Sequence, residues 1–331
     1  MYQSISQRNG VVILQNNDRT KYETMGAVER KKVVEGIRIL HPSFSDALEL
    51  IEECRTHSKI STEPLCMLVT GPPGSGKTTL QGDYASKHGK IVYHETGTKR
   101  TILSGRVPSP TTVKSLAEKL LSQLGDNFAH TGTIPQKTMR LINYIKDCQV
   151  ELVMLDEFQH FVDPNKSKVL YDVADWFKTL IDETKVPFVL FGQMESKRVL
   201  QSNAQLKRRF AIHHHLDYFA YGTVEEKEDF RNLLMLIDEM LPFIEPSRLA
   251  DEEMADKIYK TTSGLMDSIM KLIKKAAHIA IDENHDCIQM IDFARSFEFH
   301  HQFRCEMENP FLEEVDLDYS YGFDAEFVAN L

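Results

Sequence analysis

A glycine-rich segment of the chain has the composition of a phosphate-binding loop. Residues 71–78 read Gly-Pro-Pro-Gly-Ser-Gly-Lys-Thr, and Thr79 follows. Glycines let the backbone turn tightly, so that successive N–H groups point at phosphate oxygens, and the next helix adds the positive end of its dipole. In this pattern Lys77 reaches the β- and γ-phosphates, and the Thr78 hydroxyl ligates Mg²⁺. The predicted phosphate contacts are Gly71, Pro72, Pro73, Gly74, Ser75, Gly76, Lys77, Thr78 and Thr79.

A second motif lies farther along the chain, where the apolar run Leu152-Val153-Met154-Leu155 ends in Asp156-Glu157. A buried strand of this kind places Asp156 at the carboxyl edge of a parallel sheet, where it can bind the metal. Glu157 is a candidate general base that polarises the attacking water. The adjacent glutamate separates this pair from small GTPases, so the sequence predicts ATP and Mg²⁺ as cofactors and ATP hydrolysis as the reaction.

Three further residues are candidates for catalytic support. Gln193 follows the apolar segment 186–191, which we expect to form the strand next to that of the phosphate loop, so its side chain can touch the γ-phosphate. Arg208 and Arg209 close a short helical stretch, and an arginine there can reach the site of a neighbouring subunit. A turn residue and a solvated basic helix end remain the alternatives.

The elements that must position these residues alternate along the chain. Apolar strand patterns at 65–70, 91–95, 152–155 and 186–191, with a possible fifth in 210–219, alternate with helical patterns. This order predicts an α/β fold, a doubly wound parallel sheet of the P-loop AAA+ kind. Helical spacing continues from 224 to about 298, which favours a small C-terminal helical lid.

Domain boundaries follow from the same patterns. We expect an N-terminal arm with helices over 1–60, the ATPase core over 61–222, the lid over 223–300 and an acidic tail over 301–331. The interruption at His41-Pro42 divides the first segment into two helices, because proline disfavours the helical state of its predecessor.

The order of these motifs resembles the TnsC/TniB family of transposition-regulating AAA+ ATPases. The narrower likeness rests on Leu152-Val-Met-Leu-Asp-Glu-Phe-Gln-His-Phe161, on the strand that ends Phe191-Gly-Gln193, and on Gln205-Leu-Lys-Arg-Arg-Phe210. In the lid it rests on Phe230 to Pro242 and on Ser263-Gly264-Leu265. One position departs from the pattern: Asp267 stands where related lids often carry an arginine, so no lid arginine is assigned to the γ-phosphate.

The resemblance implies an ATP-dependent DNA-binding regulator rather than the enzyme that cuts DNA. Such proteins form rings or filaments of identical subunits around duplex DNA. They recruit transposase subunits and connect them to a target-selecting partner, in some systems a CRISPR-guided complex with a TniQ-type adaptor. A helicase loader or replication initiator is the alternative, since it shares the core. A protein remodeller is disfavoured, because we find no aromatic pore loop.

Composition restricts where DNA can bind. The 331 residues carry 39 basic and 49 acidic side chains, a net charge of −10, which argues against general polyanion binding and requires a local basic surface. Phosphate contacts need hydrogen-bond donors without base reading. The best candidates lie in a Ser-, Thr-, Gly- and Pro-rich segment that could equally be a solvated loop: Lys99, Arg100, Thr101, Arg106 and Lys114.

Other compositional features give weaker expectations. The apolar runs are too short to span a bilayer, and the polar N-terminus lacks a signal-peptide pattern, so we expect a cytoplasmic protein without a membrane partner. The scattered cysteines predict reduced thiols, and His213-His214-His215 lies in an alternating segment that favours a strand over a metal site. Residues 306–331 are acidic and aromatic, without Lys or Arg, and form either a solvated tail or a docking peptide for a basic partner.

Overall fold

The computed structural model describes residues 6–8, 11–13, 19–94, 97–108, 111–162, 167–301 and 308–312. The strands are β1 (Ser6–Arg8), β2 (Val11–Ile13), β3 (Met67–Thr70), β4 (Ile91–His94), β5 (Gly97–Arg100), β6 (Ile102–Arg106), β7 (Leu152–Asp156), β8 (Phe188–Gly192) and β9 (Ile212–His215). The helices are α1 (Ala27–Gly36), α2 (Pro42–His57), α3 (Lys77–His88), α4 (Val113–Gln123), α5 (Ile134–Asp147), α6 (Ser167–Thr184), α7 (Lys197–Gln201), α8 (Ala204–Arg209), α9 (Val224–Met240), α10 (Glu252–Thr262), α11 (Met266–Asp282) and α12 (Met290–His301).

The contacts divide the chain into two compact units. Residues 40–218 form the core unit, and residues up to Ile39 join those from Phe219 onward in the second unit. This division differs from the predicted boundaries at 60 and 222. The reason is that Val34 of α1 is buried with the C-terminal helices, whereas Ile51 of α2 is buried with β3.

The core unit is built on a five-stranded parallel sheet in the order β6-β7-β8-β3-β9. All residues of β3, β7 and β8 are buried, as expected of parallel strands covered on both faces. The predicted doubly wound α/β fold is therefore present. The three consecutive histidines lie in and at the end of β9, in agreement with the strand interpretation.

One predicted strand lies outside this sheet. The segment 91–95 was expected to add to the parallel series, but β4 pairs antiparallel with β5 in a separate hairpin. The fifth place in the sheet is taken by β6, which the sequence analysis missed. Burial explains the difference: Ile102 and Leu103 are buried, whereas Ile91, Val92 and Tyr93 are exposed.

The second unit is helical, as the pattern after residue 224 predicted. Its hydrophobic core joins α1 with α9, α10, α11 and α12. Phe311 is also buried there, stacked on Phe293 with ring centroids 5.3 Å apart. Phe311 therefore does not belong to the solvated tail or docking peptide that was expected over residues 306–331. Residues 302–307 and 313–331, which hold the rest of that tail, lie outside the described residues.

Three expectations about small features can be compared with the described residues. Cys54, Cys66 and Cys148 are buried free thiols, and Cys287 is a half-buried one. None of the helices in the described ranges is long and apolar enough to cross a membrane. Asp267, at the position where an arginine was looked for, accepts a hydrogen bond from Lys271 one turn later, at 2.6 Å.

Candidate nucleotide-binding site

The glycine-rich loop connects β3 to α3 and has the backbone that a phosphate cradle requires. Gly74 and Gly76 have φ angles of 81° and 95°, which side chains with a Cβ rarely adopt. A Cβ on Gly71 would lie 2.2 Å from the Leu216 carbonyl oxygen. The helix begins without a side-chain cap at Gly76, so the N–H groups of its first turn are left for a ligand. The loop therefore fits phosphate oxygens.

Lys77 lies inside this loop. Its ammonium donates to the carbonyl oxygens of Gly71 at 2.8 Å and Pro72 at 2.7 Å. Burial lowers the pKa of Lys77, and the nearby Asp156 and Glu157 carboxylates act in the opposite direction. Phosphate oxygens are stronger acceptors than these carbonyls because a charged acceptor strengthens the hydrogen bond. The ammonium is therefore held where a nucleotide phosphate can take over its hydrogen bonds.

Thr78 and Asp156 form the pair expected of a magnesium site. The Thr78 hydroxyl donates to Asp156 Oδ2 at 2.6 Å, and the Glu157 N–H donates to Asp156 Oδ1 at 2.8 Å. Asp156 is only 3% exposed, so its carboxylate is fixed in orientation. Hydroxyl and carboxylate oxygens are hard ligands, and Mg²⁺ takes few of them from the protein when nucleotide phosphates supply the rest. These two side chains fit that role.

Glu157 is held in an unusual conformation. Its φ is 61°, in the left-handed region that a glutamate rarely adopts. One carboxylate oxygen accepts from Arg106 Nη2 at 2.7 Å, and the other accepts from the Gln159 side-chain amide. The first contact follows from the sheet register, which pairs Arg106 of β6 with Asp156 of β7. The predicted general base is thus oriented from two sides.

Gln159 is a functional candidate to which the sequence analysis gave no role. Its amide donates to Glu157, and its side-chain oxygen accepts from the Gln193 N–H at 3.1 Å. A Cβ on Gly192 would lie 2.8 Å from that oxygen, so a larger residue there would displace the Gln159 side chain from this position. Gln159 therefore connects Glu157 to the end of β8. The available signal was its position two residues after Glu157.

Gln193 has the neighbourhood predicted for it. It follows β8, and β8 pairs in parallel with β3, whose end carries the phosphate loop. Carboxyl ends of adjacent parallel strands meet at the same edge, so Gln193 and the loop lie at one edge of the sheet. Its backbone N–H is used by Gln159, and its side chain is half-buried.

The structure separates the two arginines at the end of α8. Arg209 forms an ion pair with Asp182 of α6 and is largely buried. Arg208 is exposed. Of the two, Arg208 is the side chain that a neighbouring subunit could meet, and Arg209 has a role within the core unit.

The candidate DNA contacts divide into exposed residues and residues that already have partners in the core unit. Lys99 on β5 and Lys114 in the first turn of α4 are exposed, and Arg100 is half-buried. The Thr101 hydroxyl donates to the His88 carbonyl oxygen at 3.0 Å and accepts from the Lys90 N–H at 2.8 Å. Arg106 is paired with Glu157. Thr101 and Arg106 therefore already have partners inside the core unit. Lys99 and Arg100 lie in the β4–β5 hairpin, Arg106 in β6 of the parallel sheet and Lys114 in α4, so the segment is not a continuous solvated loop.

Comparisons with known proteins agree with this geometry. A family model described as "Bacterial TniB protein" matches residues 31–220, more than half of the 331-residue chain. The Aeropyrum pernix ORC2 protein, solved as ADPNP-ADP complexes, is 15% identical with a TM-score of 0.56, and the match covers 84% of this chain and 72% of that one.

Two other solved structures are similar. The Aeropyrum pernix ORC1 protein, solved in complex with DNA, is 13% identical with a TM-score of 0.53, covering 82% of this chain and 69% of that one. The CDC6p protein of Pyrobaculum aerophilum is 12% identical with a TM-score of 0.53, covering 80% and 70%. At these identities the likeness shows a shared fold, which is the AAA+ P-loop fold predicted from the sequence.

Proposed function

Since the chain belongs to the TniB family, we propose that it is an ATPase that assembles on duplex DNA when ATP is bound. In this proposal its homo-oligomer, a ring or filament, links a TniQ-type target-selection adaptor to transposase subunits in DNA transposition. The observation that carries the ATPase part is the Thr78–Asp156 pair beside a Glu157 carboxylate held by Arg106 and Gln159. The family membership supports the transposition part.

The roles of the residues follow from their contacts. Lys77 binds the β- and γ-phosphates, and Thr78 and Asp156 hold Mg²⁺, which neutralises charge on the phosphates. Glu157 accepts a proton from the attacking water, and Arg106 and Gln159 set the direction of its carboxylate. Both oxygens of Glu157 already accept hydrogen bonds, so water must compete for them. This competition supports a slow, regulatory turnover.

A helicase loader or replication initiator is the second candidate. The specific observation in its favour is the fold shared with the ORC1, ORC2 and CDC6p proteins. The ORC1 complex also supports DNA binding by a protein of this fold. The family match favours transposition, because it is to TniB proteins over residues 31–220.

Electron microscopy with and without duplex DNA and ATP tests the assembly. We expect DNA-threaded oligomers only when both are present, and none with Lys77→Ala. Addition of purified transposase and TniQ-type adaptor should then give complexes that contain both. Single particles under all conditions would contradict the proposal, and assemblies that bind a replicative helicase instead would favour the second candidate.

We predict that Arg208 acts across a subunit boundary and that Arg209 does not. In a mixture of Arg208→Ala with Lys77→Ala subunits, an intact arginine can serve an intact phosphate loop on its neighbour, so part of the DNA-stimulated hydrolysis should return. The measurement is phosphate release by each variant and by the mixture. A mixture no more active than its components would contradict the prediction.

Arg209→Ala is the matched control for that experiment. It removes the partly buried pair with Asp182, which should cost about 0.5–1 kcal/mol of stability after solvent screening. Arg209→Ala keeps Arg208, so its hydrolysis of ATP should be reduced only by the fraction of the protein that is unfolded. Mixing it with Lys77→Ala subunits should not raise the rate further. Thermal unfolding measures the first effect and phosphate release the second.

We also predict that Lys99 and Arg100 contact DNA phosphates. Replacing both by Ala should weaken binding about equally for all duplex sequences and reduce the log–log salt slope by about one unit per lost contact. A pair of exposed cations elsewhere, Arg198 and Lys207, gives a control with the same change in charge. Equal losses in the two double variants, or an unchanged slope, would place the DNA surface elsewhere.

A further inference from the structure

The core unit has an apolar groove that shares no residue with the nucleotide-binding site. It lies between α5 and α6, beside the start of α4, and has a volume of about 570 Å³. Met139 and Tyr171 line it with exposed fractions of 61% and 53%, and Ile134 with 44%. Exposed apolar side chains collected in one concave site mark an interaction surface rather than ordinary surface scatter.

The floor of the groove is fixed. Trp176 is 8% exposed, and its indole N–H donates to the Thr138 hydroxyl across α5 and α6 at 2.9 Å. Its ring also meets Phe177 edge-on, with centroids 5.1 Å apart. A floor held by a hydrogen bond and by packing needs little rearrangement on binding, which favours affinity.

The charges in the groove have one sign. Asp172, Asp175 and Glu183 of α6 contribute to its lining, and no Lys or Arg does. Lys178 lies 3.8 Å from Asp175, a distance that leaves the ion pair weak, and both side chains are partly exposed. The groove therefore combines an apolar floor with a negative edge, which attracts cations and repels nucleic acid.

We propose that this groove binds a basic, apolar peptide segment of a partner protein. Leu- or Phe-like side chains of the segment pack on Trp176 and Met139, and its Lys or Arg side chains pair with the three carboxylates. The segment 306–331 of this chain is excluded by its charge, since it is rich in Asp and Glu and lacks Lys and Arg. The proposal does not depend on ATP hydrolysis or on transposition.

Trp176 is the one tryptophan of the 331 residues, so tryptophan fluorescence reports on binding in this groove. The test is a fluorescence titration of the full chain with two short synthetic peptides. One alternates Leu and Lys at helical spacing, and the other has Glu in place of each Lys. We expect a saturable change in Trp176 emission with the first peptide, weakened by added salt, and none with the second.

Variants show whether the groove is responsible. Neutralising the edge with Asp172→Asn, Asp175→Asn and Glu183→Gln should weaken binding of the basic peptide at least about fivefold. Three exposed carboxylates outside the groove give the control with equal charge change: Asp147→Asn, Glu53→Gln and Glu63→Gln. Met139→Ser, at an exposed position, should weaken binding without removing charge. The unliganded emission spectrum checks that each variant is folded.

Three outcomes would overturn the proposal. The acidic peptide could bind as well as the basic one, or the control variant could lose as much affinity as the groove variant. A change in sedimentation coefficient of the groove variants without peptide would assign the surface to a second copy of this chain. The expected result is saturable binding that only the groove variants weaken, with unchanged sedimentation.

Discussion

Lys77→Ala is expected to abolish ATP binding and with it every ATP-dependent assembly. The ammonium is the cation of the glycine-rich loop, held by the carbonyl oxygens of Gly71 and Pro72 at 2.8 and 2.7 Å. A hydrogen bond to a charged group contributes about 1.5–3 kcal/mol. Loss of two such bonds from Lys77 to the phosphates should therefore reduce the affinity for ATP about 100-fold or more. Equilibrium binding of a fluorescent ATP analogue measures this.

A control variant on the same helix shows whether loss of a positive charge anywhere on α3 is enough, or whether the charge must lie in the glycine-rich loop. Lys87 lies in the last turn of α3 and is exposed, so Lys87→Ala should bind the analogue as the wild type does. If Lys77→Ala bound the ATP analogue with near-wild-type affinity, the assignment of residues 71–78 as the nucleotide-binding loop would be wrong. Circular dichroism of both variants establishes that the fold is retained.

Glu157→Gln is expected to bind ATP normally and to lower the rate of hydrolysis about 100-fold or more. The reason is that the amide cannot accept the proton of the attacking water. The Thr78–Asp156 pair is unchanged in this variant, so the two side chains that we propose as metal ligands remain. Assemblies on DNA should therefore persist longer after ATP is added. Phosphate release and the dissociation rate of DNA-bound oligomers are the measurements.

Gln159→Leu tests the orientation of the same carboxylate. It leaves the base in place but removes the amide that joins Glu157 to the backbone of Gln193. We expect a smaller loss of hydrolysis than in Glu157→Gln, with unchanged ATP affinity. Unaltered hydrolysis in Glu157→Gln would refute its role as base, and unaltered hydrolysis in Gln159→Leu would refute only the positioning.

The sequence predicts the parts of the site whose residues are adjacent in the chain. The loop at 71–78 is a local motif, and the Asp156-Glu157 pair follows directly from an apolar run. The contact of Arg106 with Glu157 is different, since it depends on the register between β6 and β7. Without β6 in the predicted sheet, nothing in the sequence placed Arg106 beside the base.

Local propensity also explains the strand that was misplaced. Ile91-Val92-Tyr93 has more β-forming side chains than Leu103-Ser104-Gly105, so the pattern favoured the first segment for the sheet. Burial decides otherwise, because Ile102 and Leu103 are buried in two separate apolar clusters, on opposite faces of the sheet. Phe311 is a second case in which local sequence misled the prediction. Its acidic sequence neighbours indicated an exposed segment, but its ring stacks on Phe293 in the helical core.

The helix α1 has a consequence for how the chain folds as it is synthesised. Val34 and Ile37 are buried with residues of α9 and α11, which follow about two hundred residues later. They leave the ribosome long before these partners, whereas residues 40–218 have their own cores and can fold as a unit in the meantime. The folded insert shortens the flexible chain between α1 and its partners and so lowers the entropy cost of bringing them together. Translation order therefore favours folding of the core unit first and of the helical unit last.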